Sequence, residues 1–252
     1  MTNYMLIKLK YIVVLFNMIS NSTMMKMANY MRTTSIIKEA CAKINLCYAS
    51  TDDGRIVSAV KEKEYLFQLE REMRLIDPEV MVEHPKERFW YDVLINDIPI
   101  NLKITTGGTD NAFNKLAILY TISGSTNYKK NTNYNEWFKA VHECTKKQVR
   151  DRTTEYHYLV VDKETGNILF KSILDIHSFK SNPCNILQIN WRHEFKEMNY
   201  STPDEEFTQK MVELVKTIQK SIIQAIAGMT EFAEADISAE FIHNESSSSS
   251  DL

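Results

Sequence analysis

The sequence predicts a mixed α/β fold in which a central sheet is flanked by helices, and three observations carry that expectation. Residues 54–76 have a helical apolar pattern, two stretches starting at Phe89 and Tyr156 each read as a pair of strands around a turn, and a second helical pattern begins at Pro203. Helices before, between and after strands give an α/β core.

In chain order, the first 30 residues are expected to lie outside the fold. Tyr11 to Ile19 is a short apolar run behind Lys8 and Lys10, the form of a signal-peptide core. It falls well short of the roughly 20 apolar residues of a spanning helix, and no small-residue cleavage site comes after it. Met24, Met25, Met27 and Met31 come next. Residues 31–242 are expected to form one domain, consistent with the core that 252 residues can bury.

GRIVSAVKEKEYLFQLEREMRLI, residues 54–76, joins good helix formers to apolar residues at Val60, Leu66, Phe67, Leu69 and Met73, and Asp77-Pro78 ends it. FWYDVLINDIPINLKIT, from Phe89, is rich in strand formers and carries Asn96-Asp97 as its turn. Thr105 to Asn111 reads as a polar loop, and AFNKLAILYTISG after it as a helix or a strand packed on the sheet. Residues 126–154 are polar and locally basic, with Lys129, Lys130, Lys139, Lys146, Lys147, Arg150 and Arg152, while Trp137, Phe138 and Val141 offer a helical face.

YHYLVVDKETGNILFKSILDI gives two strands joined at Glu164-Thr165-Gly166-Asn167, and ILQINW a short strand ending at Trp191. From Pro203 to about Gly228 a helix is expected, its apolar face made by Phe207, Met211, Leu214, Val215, Ile218, Ile222 and Ile226. Residues 243–252 are a Ser-rich tail of the kind that stays disordered.

Composition is that of a globular protein, 44% hydrophobic and 25% charged. The net charge of −3 and pI near 6.1 give no global basic field, so any nucleic-acid contact has to rest on a local basic surface. Cys41, Cys47, Cys144 and Cys184 lack zinc-ligand spacing and read as buried thiols of a reducing compartment. His142, His157, His177 and His193 are scattered and read as structural or surface residues. Gly107-Gly108 lacks the companions of a phosphate-binding loop.

Chemistry concentrates on the first hairpin. If it turns through Asn96-Asp97 alone, Ile95 pairs with Ile98 and Asp92 falls opposite Asn101. Asn101 and Lys103 then share the face of Asp92, whereas Val93, Ile95, Ile98, Ile100, Leu102 and Ile104 form the core side. One hairpin thus presents a carboxylate, an amide oxygen and an ammonium. Mg²⁺ takes a few oxygen ligands plus waters and phosphate oxygens, so Asp92 and Asn101 suit it as ligands. Lys103 suits the positioning of a water and the offset of charge growing on a phosphate.

This stretch resembles the PD-(D/E)xK nucleases, whose core hairpin carries an Asp on one strand and an acid-x-Lys on the next. Here Asn101 stands where an acid is commonest and Tyr91 precedes the Asp; some type II restriction enzymes are similar in using an amide. The resemblance implies a restriction-endonuclease-like core and a further acid from the preceding helix, on Glu62 or alternatively Glu64. INLKITTGGTDNAFNK resembles a lysine strand running into DNA-contacting segments, which implies contacts from Thr105, Thr106, Asn111, Asn114 and Lys115. SNPCNILQINW resembles a late restriction-enzyme element and implies contacts from Asn182, Asn185, Gln188 and Asn190. Taken together, these resemblances imply a Mg²⁺-dependent, site-specific endonuclease acting on double-stranded DNA. It would be a homodimer, with a companion DNA methyltransferase, in the cytoplasm or another DNA-containing compartment. The rival expectations are a nuclease-fold DNA-binding protein without catalysis and a repair or structure-directed nuclease.

Overall fold

The computed structural model describes residues 24–44, 55–85, 89–105, 109–110, 114–125, 133–145, 155–182, 185–196 and 207–234. Its centre is a five-stranded mixed sheet in the order β1 (Val82–Glu83), β2 (Val93–Ile95), β3 (Ile98–Thr105), β5 (His157–Asp162), β6 (Ile168–Ser172). Among the described strands of this sheet β3 and β5 run parallel and the other neighbours antiparallel. The crossover between them, as parallel strands require, carries α3 (Asn114–Ser123) and α4 (Tyr134–Thr145). A smaller sheet takes the order β4 (Thr109–Asp110), β8 (Asn185–Asn190), β7 (Phe179–Asn182).

Helix α1 covers residues 24–43, so the expected domain boundary at residue 31 falls inside it. Met27 packs against the core, and Tyr30, Ile36, Ile37, Ala40 and Cys41 are buried at helical spacing. The methionines that dominate this stretch by eye contribute little, since Met24, Met25 and Met31 are exposed.

Helix α2 (Arg55–Ile76) ends before Asp77-Pro78 as expected. Its inward stripe differs from the expected one. Tyr65, Leu69 and Met73 are buried, while Val60 is 59% and Phe67 71% exposed. Helices α1 and α2 together cover the face of the sheet made by Val93, Ile95, Ile98, Ile100, Leu102, Ile104, Leu159, Val161 and Phe170.

The other face is covered too. Ala117, Ile118, Leu119 and Ile122 of α3, Trp137 of α4, Trp191 of α5 (Trp191–Lys196), and Leu214 and Ile218 of α6 (Phe207–Glu234) pack with Tyr158 and Val160 of β5. Strand β5 therefore has a core on both faces, Leu159 and Val161 on one and Tyr158 and Val160 on the other. In α6, Lys210 and Ser221 join the buried stripe, and Ile226, expected on the apolar face, is exposed. The Phe207 side chain lies outside the described residues, as do Cys47, Cys184 and the cationic residues Lys129, Lys130, Lys146, Lys147, Arg150 and Arg152.

Among the described residues, two buried ion pairs join these layers. Lys171 of β6 meets Glu194 of α5 at 2.6 Å with both side chains fully buried. The second Glu194 oxygen accepts from the His177 and Ser178 amides and the Ser178 hydroxyl. Lys210 of α6 pairs with Asp175 in the short 3-10 turn after β6. Among the described residues no helix is long and apolar enough to cross a membrane.

Candidate active site at the first hairpin

The turn of the first hairpin has only two residues. Asn96 and Asp97 both take positive φ, 44° and 69°, the backbone of a type I′ turn, whose twist suits a two-residue hairpin. The Asn96 side chain fixes the turn from outside, donating to Thr33 of α1 at 2.9 Å and accepting from the Met81 amide. Ile95 pairs with Ile98 and Val93 with Ile100, the register the sequence implies.

The ladder ends there, one step short of the expected Asp92–Asn101 pair. The Asp92 amide donates to Ile100 O at 2.9 Å, and the Asp92 carboxylate accepts the Leu102 N–H at 2.8 Å through Oδ2. Strand N–H groups point within the plane of a sheet. The carboxylate thus occupies the slot that a further β2 residue would fill.

On β3, Asn101 registers with Tyr158 and Lys103 with Val160 of β5. Tyr158 and Val160 belong to the core under α3 and α6, which puts Asn101 and Lys103 on that face. Lys103 is half-buried. Asn101 is 3% exposed, and its Oδ1 has no hydrogen-bond partner among the described residues. A buried carbonyl oxygen without a donor is uncommon and costs free energy. A hard cation with its waters is one chemistry that satisfies such an atom.

Glu62 lies on α2, the helix covering the opposite face, so it does not share the face of Asn101 and Lys103. It is half-buried and continues the sheet-facing stripe one turn ahead of Tyr65. Glu64, the alternative, is exposed and paired with Lys61 at 3.4 Å. Among the described residues no three His, Cys, Asp or Glu side chains gather as a metal-holding group. The expected set has two acids and one amide, so it never offered such a trio.

The remaining candidates divide. Thr106 and Asn111 lie outside the described residues, as do the side chains of Asn114, Asn182 and Asn185. Thr105 ends β3, half-buried, with its carbonyl accepting from Lys163 N. The Lys115 ammonium sits 4.7 Å above the Tyr134 ring, a cation–π contact joining α3 to α4. Gln188 and Asn190 stand on the half-buried face of β8, opposite the buried Leu187 and Ile189. Asn190 has a local task, since its Oδ1 accepts from His193 N and caps α5. The two segments nevertheless meet: Thr109 pairs with Asn190 and Asp110 with Ile189. The chain from Thr105 to Thr109 reaches at most about 14 Å, so the small sheet begins close to the end of the lysine strand.

Sequence reasoning missed the aromatic bed behind the site. The Trp90 ring stacks on Tyr156 at 5.6 Å, Tyr156 meets Tyr158 edge-on, and Tyr158 meets Trp191. The Tyr156 hydroxyl donates to Trp90 O at 2.7 Å. The signal available was the aromatic run FWY directly before Asp92, which read only as strand composition. On the opposite face a buried polar chain links α1 to β5, with the Tyr30 hydroxyl 3.0 Å from both Glu155 Oε2 and His157 Nε2. His157 is thus structural, as expected, and His142, His177 and His193 are exposed.

Compared with family models, with curated proteins and with solved structures, the chain matches none.

Proposed function

We propose that this chain is a Mg²⁺-dependent endonuclease of the restriction-enzyme type, built on a restriction-endonuclease-like core and acting on double-stranded DNA. The observation that carries the reading is the buried Asn101 Oδ1, without a donor among the described residues, on the face it shares with Lys103, next along β3 to the Leu102 N–H that holds the Asp92 carboxylate. Asp92 and Asn101 would hold the cation. Glu62 would approach the same slot from the α2 side and supply the second anion that an amide at position 101 leaves wanting. When bound, Mg²⁺ would lower the pKa of a water and neutralise phosphoryl charge.

The residues themselves do the orienting. The Leu102 N–H fixes one Asp92 oxygen, so the carboxylate is held before substrate arrives, with little reorganisation left for the reaction. The Lys103 ammonium, two residues along the same face, would stand beside the scissile phosphate, orient the attacking water and offset the charge that develops on the phosphate. The small sheet after the lysine strand supports a DNA-facing role for Gln188 and for the segment leading to Lys115. Homodimerisation would match two-fold symmetric sites, and a companion methyltransferase would protect the host's own DNA.

The test is incubation of purified protein with long DNA of mixed sequence and Mg²⁺. Discrete fragments are expected. A smear would indicate a structure-directed nuclease instead, and intact but retarded DNA a binding protein whose Asn101 marks lost catalysis.

A further inference from the structure

The segment that delivers Asp92 to its slot is fixed by a residue from neither hairpin strand. Tyr156 stands at the head of β5, fully buried, with β3 between it and β2. Its hydroxyl donates to the carbonyl of Trp90, two residues before Asp92, at 2.7 Å, and its ring stacks against the Trp90 indole with 20° between the planes. Its own amide is held by Thr121 Oγ1 of α3 at 3.3 Å. Trp90, Tyr156 and Tyr158 share one core, and Tyr158 is the register partner of Asn101. The chain entering Asp92 therefore leans over the face of β3 that carries Asn101.

Backbone pairing cannot do this work. The β2–β3 ladder stops at Val93, and ahead of it Asp92 makes two hydrogen bonds to β3 among the described residues. A carbonyl clamped from β5 supplies the missing fixed point, so the position of the Asp92 carboxylate relative to Asn101 Oδ1 is set jointly by β3 and β5.

We infer that Tyr156 is a positioning residue for the cation site, its hydroxyl setting the Asp92–Asn101 geometry through the Trp90 carbonyl. This rests on the metal-dependent reading proposed above. Tyr156→Phe keeps the stacked ring and deletes only the hydroxyl. Tyr30→Phe is the matched control, because it deletes another buried tyrosine hydroxyl from the opposite face of β5, where it meets Glu155 and His157.

The experiment is Mn²⁺ binding measured by electron paramagnetic resonance, without DNA, on wild type, Asp92→Ala, Tyr156→Phe and Tyr30→Phe, with thermal unfolding of each recorded. Wild type should bind saturably and Asp92→Ala should not. Tyr156→Phe should weaken binding by about tenfold or more, the size of effect that groups orienting metal ligands have, and Tyr30→Phe should leave it unchanged. Wild-type affinity in Tyr156→Phe, or equal weakening in Tyr30→Phe, overturns the inference while leaving the site reading intact. Absence of binding by wild type overturns the site reading and the inference with it.

Discussion

The Asp92 carboxylate stands in for a backbone acceptor, taking the Leu102 N–H at 2.8 Å where the β2–β3 ladder has ended. This gives Asp92 a structural duty that is separable from a catalytic one. Asp92→Asn retains an oxygen for the Leu102 amide, so it should unfold within about 1 kcal/mol of wild type, whereas Asp92→Ala strands the donor and should cost about 1–3 kcal/mol. Both should reduce Mg²⁺-dependent cleavage by roughly a hundredfold or more. Chemical denaturation alongside a cleavage assay separates the two effects.

Asn101 should behave in the opposite way. Because its Oδ1 is buried without a donor among the described residues, Asn101→Leu removes an unsatisfied group at similar volume. It should match wild-type stability or exceed it by about 1 kcal/mol, and cleavage should vanish. A stabilising substitution that abolishes function is the mark of a site kept at the expense of stability. Thermal melts and DNA cleavage on the same preparation check both halves.

How far the hairpin was legible depends on its turn. A two-residue turn of Asn and Asp fixes the register by itself, so the pairing and the shared face of Asn101 and Lys103 could be read from the sequence. The end of the ladder could not, because the Asp92 side chain competing for Leu102 N–H is a tertiary choice. Helix α1 was missed because exposed methionines mask the spacing of Tyr30, Ile37, Ala40 and Cys41. Strand β7 and the Asn190 cap were missed although both are local: β7 pairs with β8, three to ten residues on, and Asn190 caps through His193 N. Glu62 came from resemblance alone, and the structure adds that it, rather than Glu64, continues the sheet-facing stripe of α2.

Cys41 should shape the alkaline limb of stability. Burial pushes its thiol from an ordinary 9.0 up to about 12. A raised folded-state value keeps the proton on the native chain after the unfolded chain has lost it. The stabilisation is therefore complete below about pH 9 and declines toward pH 12, by about 1.4 kcal/mol per pH unit for one proton. Urea midpoints measured from pH 8 to 11 should fall less steeply for Cys41→Ala than for wild type. Parallel slopes would contradict the assignment.

The Lys171–Glu194 pair should be among the most sensitive points of the fold. Glu194→Ala leaves a fully buried ammonium without its counter-charge and frees the His177 and Ser178 amides, so a loss of about 3–5 kcal/mol is expected. The double variant Lys171→Met with Glu194→Ala should recover part of it. Unfolding curves for the single and double variants test this.

Comparing wild type, Asp92→Ala and Lys103→Ala for Mg²⁺-dependent cleavage of long duplex DNA, with folding of each verified, tests the central claim most directly. Discrete fragments from wild type, absent with a chelator and absent in both folded variants, are the predicted result. Full cleavage by either variant, or intact DNA with wild type and Mg²⁺, would contradict it.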